Sequence, residues 1–556
     1  MRLPLFLCLF LCSAGLFAQV DFFADRTFTR ADTLRGALRP ERTSYDVTFY
    51  HVDIDLDIEK KAIAGSVQMD FTVVEPTARI QVDLFENMTL DRVVHGEESL
   101  DFEREGNAIF IELPAQMPVG TKAALTLHYH GRPLRARNAP WDGGFVWKRD
   151  KNGQPWIGVA CEGTGASLWW PNKDHLSDEP DSLRFTVTVP EGLMAVSNGN
   201  LRDVRQASKG RRTYDWFVSY PINNYNLSLT VGDFVHFDDT YTAQDGEKLA
   251  LDYYVLPYNL AKAKKQFAQV KPMLACYEQY LGKYPFWEDG FAMVETPYLG
   301  MEHQSGIAYG NQFKRGYLGG MIPSDMDWDY IIIHESGHEY FGNSISVADH
   351  AEMWIHESFT TYLEAVYVEC QYSYEDAIRY LQGQRDYISN KAPMVGPSDV
   401  NFDDFGSSDH YYKGAWFLQT LRHALNDDEQ WWAILKGFYQ DNERSIVSTK
   451  DFIDYMNKAT GRNWDTVFQQ YLHYPELPTL LYRYETDGRD LVLSIRWDAD
   501  APGFDLPVLI RAGQQRRLVY PKKEKATQVR LENVSFREFK ILTDRQLIRT
   551  NALEQE

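Results

Sequence analysis

Cysteine is scarce: five in 556 residues, at Cys8, Cys12, Cys161, Cys276 and Cys370. So sparse a set is no disulfide framework, and stability must come from hydrophobic cores. Positive charge is short as well, with 57 Lys and Arg against 79 Asp and Glu and a net charge of -22. Phosphate binding needs clustered cations, so no nucleic-acid partner is expected. After the first residues no apolar run approaches the roughly 20 positions of a membrane helix, and no stable membrane span is expected. Internal repeats and low-complexity tracts are missing too, which argues against solenoid and linker-array architectures.

What is present describes a globular protein. Hydrophobic residues make up 44% and aromatics 14%, a composition that buries cores rather than staying disordered. The length exceeds what one core serves, so three or four domains are expected. The opening MRLPLFLCLFLCSAGLFAQ combines one basic residue, an apolar run and small residues near Ala18. It reads as a secretory signal over residues 1–18, with the mature protein periplasmic or secreted. Cleavage there removes Cys8 and Cys12.

From about Ser44 to Thr240 hydrophobicity alternates in period two, as in YHVDIDLDI, LRFTVTV and YNLSLTVGDF, which predicts strands in a β-sandwich or saddle. Helical spacing takes over near Tyr254, and alternation returns after PELPTL. The expected fold is multidomain α+β: an amino-terminal β domain over 19–243, a mixed catalytic domain over 244–475 and a small β domain over 476–556.

The middle segment contains IIIHESGHEYFGN, from Ile331 to Asn343. Burying two histidines and a glutamate in such an apolar frame costs several kcal/mol unless each finds a partner. His334 and His338, at i and i+4, share one helical face with Glu335 beside them, the H-E-x-x-H arrangement of two zinc ligands and a general base. A third histidine in the metzincin manner is excluded, because Phe341 and Ser344 occupy the required positions. Glu357 follows His338 after eighteen intervening residues on a second predicted helix. A turn between the helices returns its carboxylate to the metal, leaving a fourth position for water. Glu364, two turns along the same face, either holds a ligand histidine's free N–H or faces solvent.

With these residues the chain resembles the M1 family of zinc aminopeptidases, the gluzincins. HESGHEYFGN, the delayed ESFTTYLE, YLGMEHQSG and HYYKGAWFL carry the resemblance. It implies a thermolysin-like catalytic domain, one Zn2+ per chain on His334, His338 and Glu357, and peptide substrates with a free amino terminus. By the same resemblance Glu302, with Met301 and Gly300 on the strand edge, binds the substrate amine, Glu162 in CEGTGASLWWP assists it, and Tyr411 stabilises the transition state. The sequence departs from the family pattern at Leu299 in place of a glycine and at His303 and His356 in place of asparagines. Taken singly, Glu302 reads as a turn carboxylate, Glu162 as a surface acid and Tyr411 as an aromatic packed with Trp416. His303, His356 and His410 read as bystanders. Alternative functions on the same fold are an endopeptidase, a leukotriene-type epoxide hydrolase or a zinc-stabilised binding protein. Oligomeric state has no signature here.

Overall fold

The computed structural model describes residues 22–23, 26–403 and 405–553; the expected signal segment, 1–18, lies outside them. The first helix, α1 (Arg30–Gly36), starts at a capping box in which Thr29 and Asp32 bond each other's backbone N–H. Beyond it the period-two pattern builds sheet. β1 (Tyr45–Asp57) buries Tyr45, Val47, Tyr50, Val52, Ile54 and Leu56, and the alternation slips once, at an irregularity between Val47 and Phe49. β1 pairs antiparallel with β2 (Ala62–Val73) inside an eight-stranded sheet. β3 (Pro155–Ala160) belongs to a separate four-stranded sheet and delivers the chain to Cys161 and Glu162. β4 (Ser182–Pro190) returns to the large sheet, parallel to β1.

The next sheet corrects one expected boundary. β5 (Val235–Thr242) and β6 (Lys248–Val255) form a hairpin, and β6 runs parallel to β7 (Phe291–Glu295). With β8 (Gly300–Met301) and β9 (Ile307–Tyr309) they make one five-stranded sheet in the order β5-β6-β7-β9-β8. A division at 243/244 would cut that hairpin, so the catalytic unit begins before Val235. Alternation does not reveal which sheet a strand joins. The stretch read as one strand, YNLSLTVGDF, is also divided: Asn224–Asn226 is a short 3-10 turn, and only Thr230–Gly232 is strand.

Helices cover this sheet: α2 (Val270–Tyr280), α3 (Tyr330–His338), α4 (Trp354–Gln371), α5 (Tyr374–Gln384) and α6 (Asp409–Leu425). α3 packs against β8 and β9 on one side and α4 on the other, and α4 packs against α6. Among the described residues one cross-link forms: Cys276 of α2 and Cys370 of α4 are disulfide-bonded across a Cα separation of 6.1 Å, while Cys161 is a buried free thiol. It is a single staple between adjacent helices rather than a framework. After the helices, β10 (Thr479–Asp487) and β11 (Asp490–Asp498) open the carboxy-terminal β domain of a four-stranded and a three-stranded sheet. Among the described residues no helix is long and apolar enough to cross a membrane.

Candidate active site

α3 is short and wholly buried, so its polar residues need dedicated partners. Its start is fixed by Asp329, which accepts from the N–H groups of Ile331 and Ile332, the Tyr309 hydroxyl (2.7 Å) and the Asn311 amide (2.7 Å). Ile331, Ile332 and Ile333 anchor it in the core, and His334, Glu335 and His338 are buried with them.

The two imidazoles converge on one point. Their Nε2 atoms are 3.2 Å apart, and Oε2 of Glu357 lies 3.6 Å from Nε2 of His334 and 3.4 Å from that of His338. The far nitrogens are occupied. Nδ1 of His334 faces Oε1 of Glu364 at 2.6 Å, and Nδ1 of His338 faces the Phe341 carbonyl at 2.9 Å. Protons held at Nδ1 leave both Nε2 lone pairs facing each other beside a carboxylate oxygen that is buried without a hydrogen-bond donor. Three unshared donors in a closed space repel one another unless a cation sits among them, and the His–His–Glu set is that of a catalytic zinc site. The residues therefore fit zinc. Burial would raise the Glu357 carboxyl, but His338 and His334 outweigh it and hold it well below the usual range. Glu364 is buried, held by the Tyr380 hydroxyl and Gln384, so of its two expected roles the solvent-facing one is wrong.

Glu335 projects from the same helix toward β8. A Cβ on Gly300 would stand 2.5 Å from Oε1 of Glu335 and 2.8 Å from Ile331, so only glycine leaves room for the carboxylate here. Burial pushes its pKa up to about 8, with the Glu302 charge adding to and His334 opposing that rise. Opposite, Tyr411 in the first turn of α6 stacks on His334 with centroids 6.0 Å apart. Burial, then the facing Glu357 carboxylate, raises its hydroxyl well above the usual range, so it stays a donor. α6 can come this close to α4 because Gly414 lies against Ser358, whose hydroxyl donates to the His410 carbonyl (2.7 Å); a Cβ at Gly414 would meet that hydroxyl at 1.6 Å. The motif's buried Lys413 donates to the carbonyls of Tyr474 (3.0 Å) and Pro475 (2.8 Å).

The other end of the cavity is anionic. Glu302 follows edge strand β8 and accepts from the Tyr225 hydroxyl at 3.0 Å. Its carbonyl is held at 2.7 Å by the side chain of Asn343, the last residue of HESGHEYFGN, which in turn accepts from Asn226. Glu162 is half-buried opposite, its inward Oε1 lacking any hydrogen-bond partner. Burial raises both carboxyls, Glu162 the more, and the Glu302 charge raises Glu162 further. Glu162, Gly300, Met301, Glu302, His334, Glu335, His338, Glu357 and Tyr411 all line one cavity of about 570 Å³. Its described lining contains five carboxylates and no lysine or arginine.

Burial lowers the pKa of His303 and His356 to about 3 and keeps both neutral. His356 accepts from the Val347 N–H at 3.1 Å. His410 is not a bystander, because its ring packs on Tyr411 at 4.5 Å and lines the cavity. Tyr225, Asn343, Phe405 and Asp403 escaped the sequence reading. Asn343 alone had a signal, as the asparagine that ends the metal motif.

Fold and site together define a zinc metallopeptidase architecture. The family model of the Peptidase M1 N-terminal domain matches residues 44–225, and that of the Peptidase family M1 domain matches residues 266–471. The chain belongs to peptidase family M1. Leukotriene A-4 hydrolase of Xenopus laevis is 23% identical over 491 residues, 80% of this chain and 74% of that protein. Mouse aminopeptidase B is 24% identical over 53% of this chain and 46% of its own length, and Escherichia coli aminopeptidase N is 25% identical over 51% and 34%. The chain thus spans less than half the length of those two aminopeptidases. Among solved structures, Legionella pneumophila aminopeptidase A in complex with aspartic acid superposes with a TM-score of 0.77 at 17% identity, covering 92% of this chain and 60% of that one. A mutant M1 zinc metallopeptidase of Deinococcus radiodurans bound to a Tyr-Ser-Ala substrate gives 0.64 at 20% identity, covering 78% and 95%. At such identities these likenesses describe the fold.

Proposed function

We propose that this chain is an exported zinc aminopeptidase that removes the first residue from peptides with a free amino terminus. One observation carries the reading: two carboxylates, buried Glu302 and half-buried Glu162, face one another beside the metal site in a cavity whose described lining offers no lysine or arginine. A substrate ammonium supplies the missing charge, and an amine fixed there lets only the first peptide bond reach the metal. Edge strand β8 gives the substrate backbone a place to pair. His334, His338 and Glu357 would hold the zinc, which would supply a Lewis acid for the scissile carbonyl and a water with a pKa lowered toward about 7. Glu335 accepts the proton of the attacking water and returns it to the leaving amine. The Tyr411 hydroxyl donates to the carbonyl oxygen as it becomes anionic. An endopeptidase would gain nothing from the paired carboxylates, and a merely structural zinc site would not need Glu335 and Tyr411.

The same lining bears on substrate choice. Tyr317, Tyr330, Tyr387, Tyr412 and Phe405 add aromatic surface to the carboxylates, which favours apolar, aromatic or basic first side chains over acidic ones. Export is supported by the composition of residues 1–18 and by the Cys276–Cys370 bridge, since disulfides persist in oxidising compartments. A panel of aminoacyl fluorogenic substrates, run with and without a chelator, tests the reading. Cleavage is expected to vanish with chelation, return with zinc and be weakest for aspartyl and glutamyl substrates. Hydrolysis indifferent to chelation, or strongest for acidic residues, would contradict it.

A further inference from the structure

The segment before residue 44 precedes both family-model matches, yet it packs against the amine end of the cavity. From α1, Arg35 forms an ion pair with buried Asp174 at 3.2 Å and lies against Gly165, where a Cβ would stand 1.8 Å from its guanidinium. Gly165 closes the tight loop that begins at Cys161 and carries Glu162: its N–H donates to the Cys161 carbonyl at 2.6 Å, and Gly163 and Gly165 have φ of +70° and +98°. The next residue of α1, Gly36, touches a second wall of the cavity. A Cβ there would stand 2.2 Å from the backbone nitrogen of Asn401 and 2.4 Å from that of Val400. Asn401, itself at φ +49°, donates from its side chain to the Gly163 carbonyl at 3.0 Å. Two residues on, Asp403 lies against Gly163, and Asp403 and Phe405 line the cavity. Upstream, Arg26 stacks over Phe402 at 5.0 Å.

Two loops from different domains thus meet on one helix, and neither lies within regular structure that would fix it otherwise. We propose that residues 26–43 form a strap that fastens the Glu162 loop to the wall formed by residues 399–403 and Phe405 and so sets the geometry of the subsite for the substrate amine, with Arg35 and Gly36 as positioning residues. This rests on the aminopeptidase reading above. The strap's own contacts fall on the loop that carries Glu162 and on the opposite wall, and it directly touches none of Glu335, Tyr411 or the metal ligands, so its effect is expected on binding rather than on the reacting bond.

Gly36→Ala is the sharpest probe. Alanine is the better helix former, so a defect reports the collision with the wall and not a weakened helix. Arg35→Lys keeps the charge but loses the planar guanidinium packed over Gly165, and Gly383→Ala, where a Cβ meets nothing within 4 Å, is the control. Kinetics are measured with the zinc-loaded full-length mature chain on an aminoacyl substrate and its N-acetyl twin, alongside zinc content and thermal midpoint. Expected for both strap variants is a roughly tenfold rise in KM for the free-amine substrate, kcat within about threefold of wild type, and unchanged turnover of the blocked twin. The control keeps wild-type values. A free-to-blocked ratio preserved in both variants, or a loss shared equally by the two substrates and tracking the thermal midpoint, would overturn the proposal while leaving the aminopeptidase reading intact. A wild-type enzyme without preference for the free amine would overturn both.

Discussion

The two ends of the cavity are built differently. At the metal end, His334, Glu335 and His338 come from one helix and Glu357 and Glu364 from the next, with the Phe341 carbonyl and the Tyr380 and Gln384 side chains holding them. At the amine end, Glu302 follows a two-residue edge strand, Glu162 sits on a loop of another domain, and Tyr225, Asn343 and the α1 segment hold them in place. Packing of consecutive helices fixes the first end, whereas the second exists only once three distant segments have docked. Damage at the metal end should abolish chemistry, and damage at the amine end should erode selectivity.

The largest effects should therefore follow substitutions at the metal end. Glu335→Gln is expected to keep its zinc and lose at least about 10²-fold in kcat, the contribution of a positioned base. Tyr411→Phe should lose about 10²–10³-fold with KM little changed, as for one oxyanion donor, whereas Tyr412→Phe should stay near wild type. A crippled Tyr412→Phe beside an active Tyr411→Phe would contradict the stacking of Tyr411 on His334. At the amine end, Glu302→Ala should cost about 10²-fold in kcat/KM on free-amine peptides and leave slow cleavage of blocked ones unchanged, with Glu162→Ala milder. Equal losses on both substrates would erase the contrast between the two ends.

Smaller effects probe the frame that both ends share. Gly414→Ala forces a methyl into Ser358 beside Glu357, and overpacking of this kind should destabilise by about 1–3 kcal/mol; an unchanged denaturation midpoint would show that α4 and α6 yield there. A further effect depends on pH. Half-buried His175 donates to the Gly36 carbonyl at 3.0 Å, and desolvation with the nearby Arg42 charge lowers its pKa to about 4. A histidine lowered from an unfolded value of about 6.5 binds its proton first in the unfolded chain. Its stabilisation is thus complete above about pH 6.5 and is lost toward pH 4, by up to about 1.4 kcal/mol per unit. Thermal midpoints of wild type and His175→Gln should converge as the pH falls across that window; a constant gap would show that His175 does not titrate on unfolding.

The same contrast explains what could be read in the sequence. The zinc trio was legible because an i, i+4 pair and a carboxylate on the following helix are one-dimensional patterns. Tyr411 and Glu302 were legible only through resemblance, since a lone tyrosine or glutamate has no periodicity of its own. Tyr225 was hidden inside what reads as a strand, and its role depends on a 3-10 turn that brings its hydroxyl to Glu302. The disulfide was hidden by the sequence separation of 94 between its cysteines. The hairpin of β5 and β6 was visible as strands but not as members of the catalytic sheet, because alternation reports burial on one face and not which sheet provides it.

The central claim is that the paired carboxylates make this metal site an exopeptidase. Its most direct test compares kcat/KM of the zinc-loaded wild-type enzyme for one peptide with a free amino terminus and for the same peptide N-acetylated. Acetylation removes the charge that Glu302 and Glu162 would bind and adds bulk where they point. A ratio of at least about 10² in favour of the free amine, equivalent to about 2.7 kcal/mol, is predicted, and comparable values for the two peptides would contradict the account.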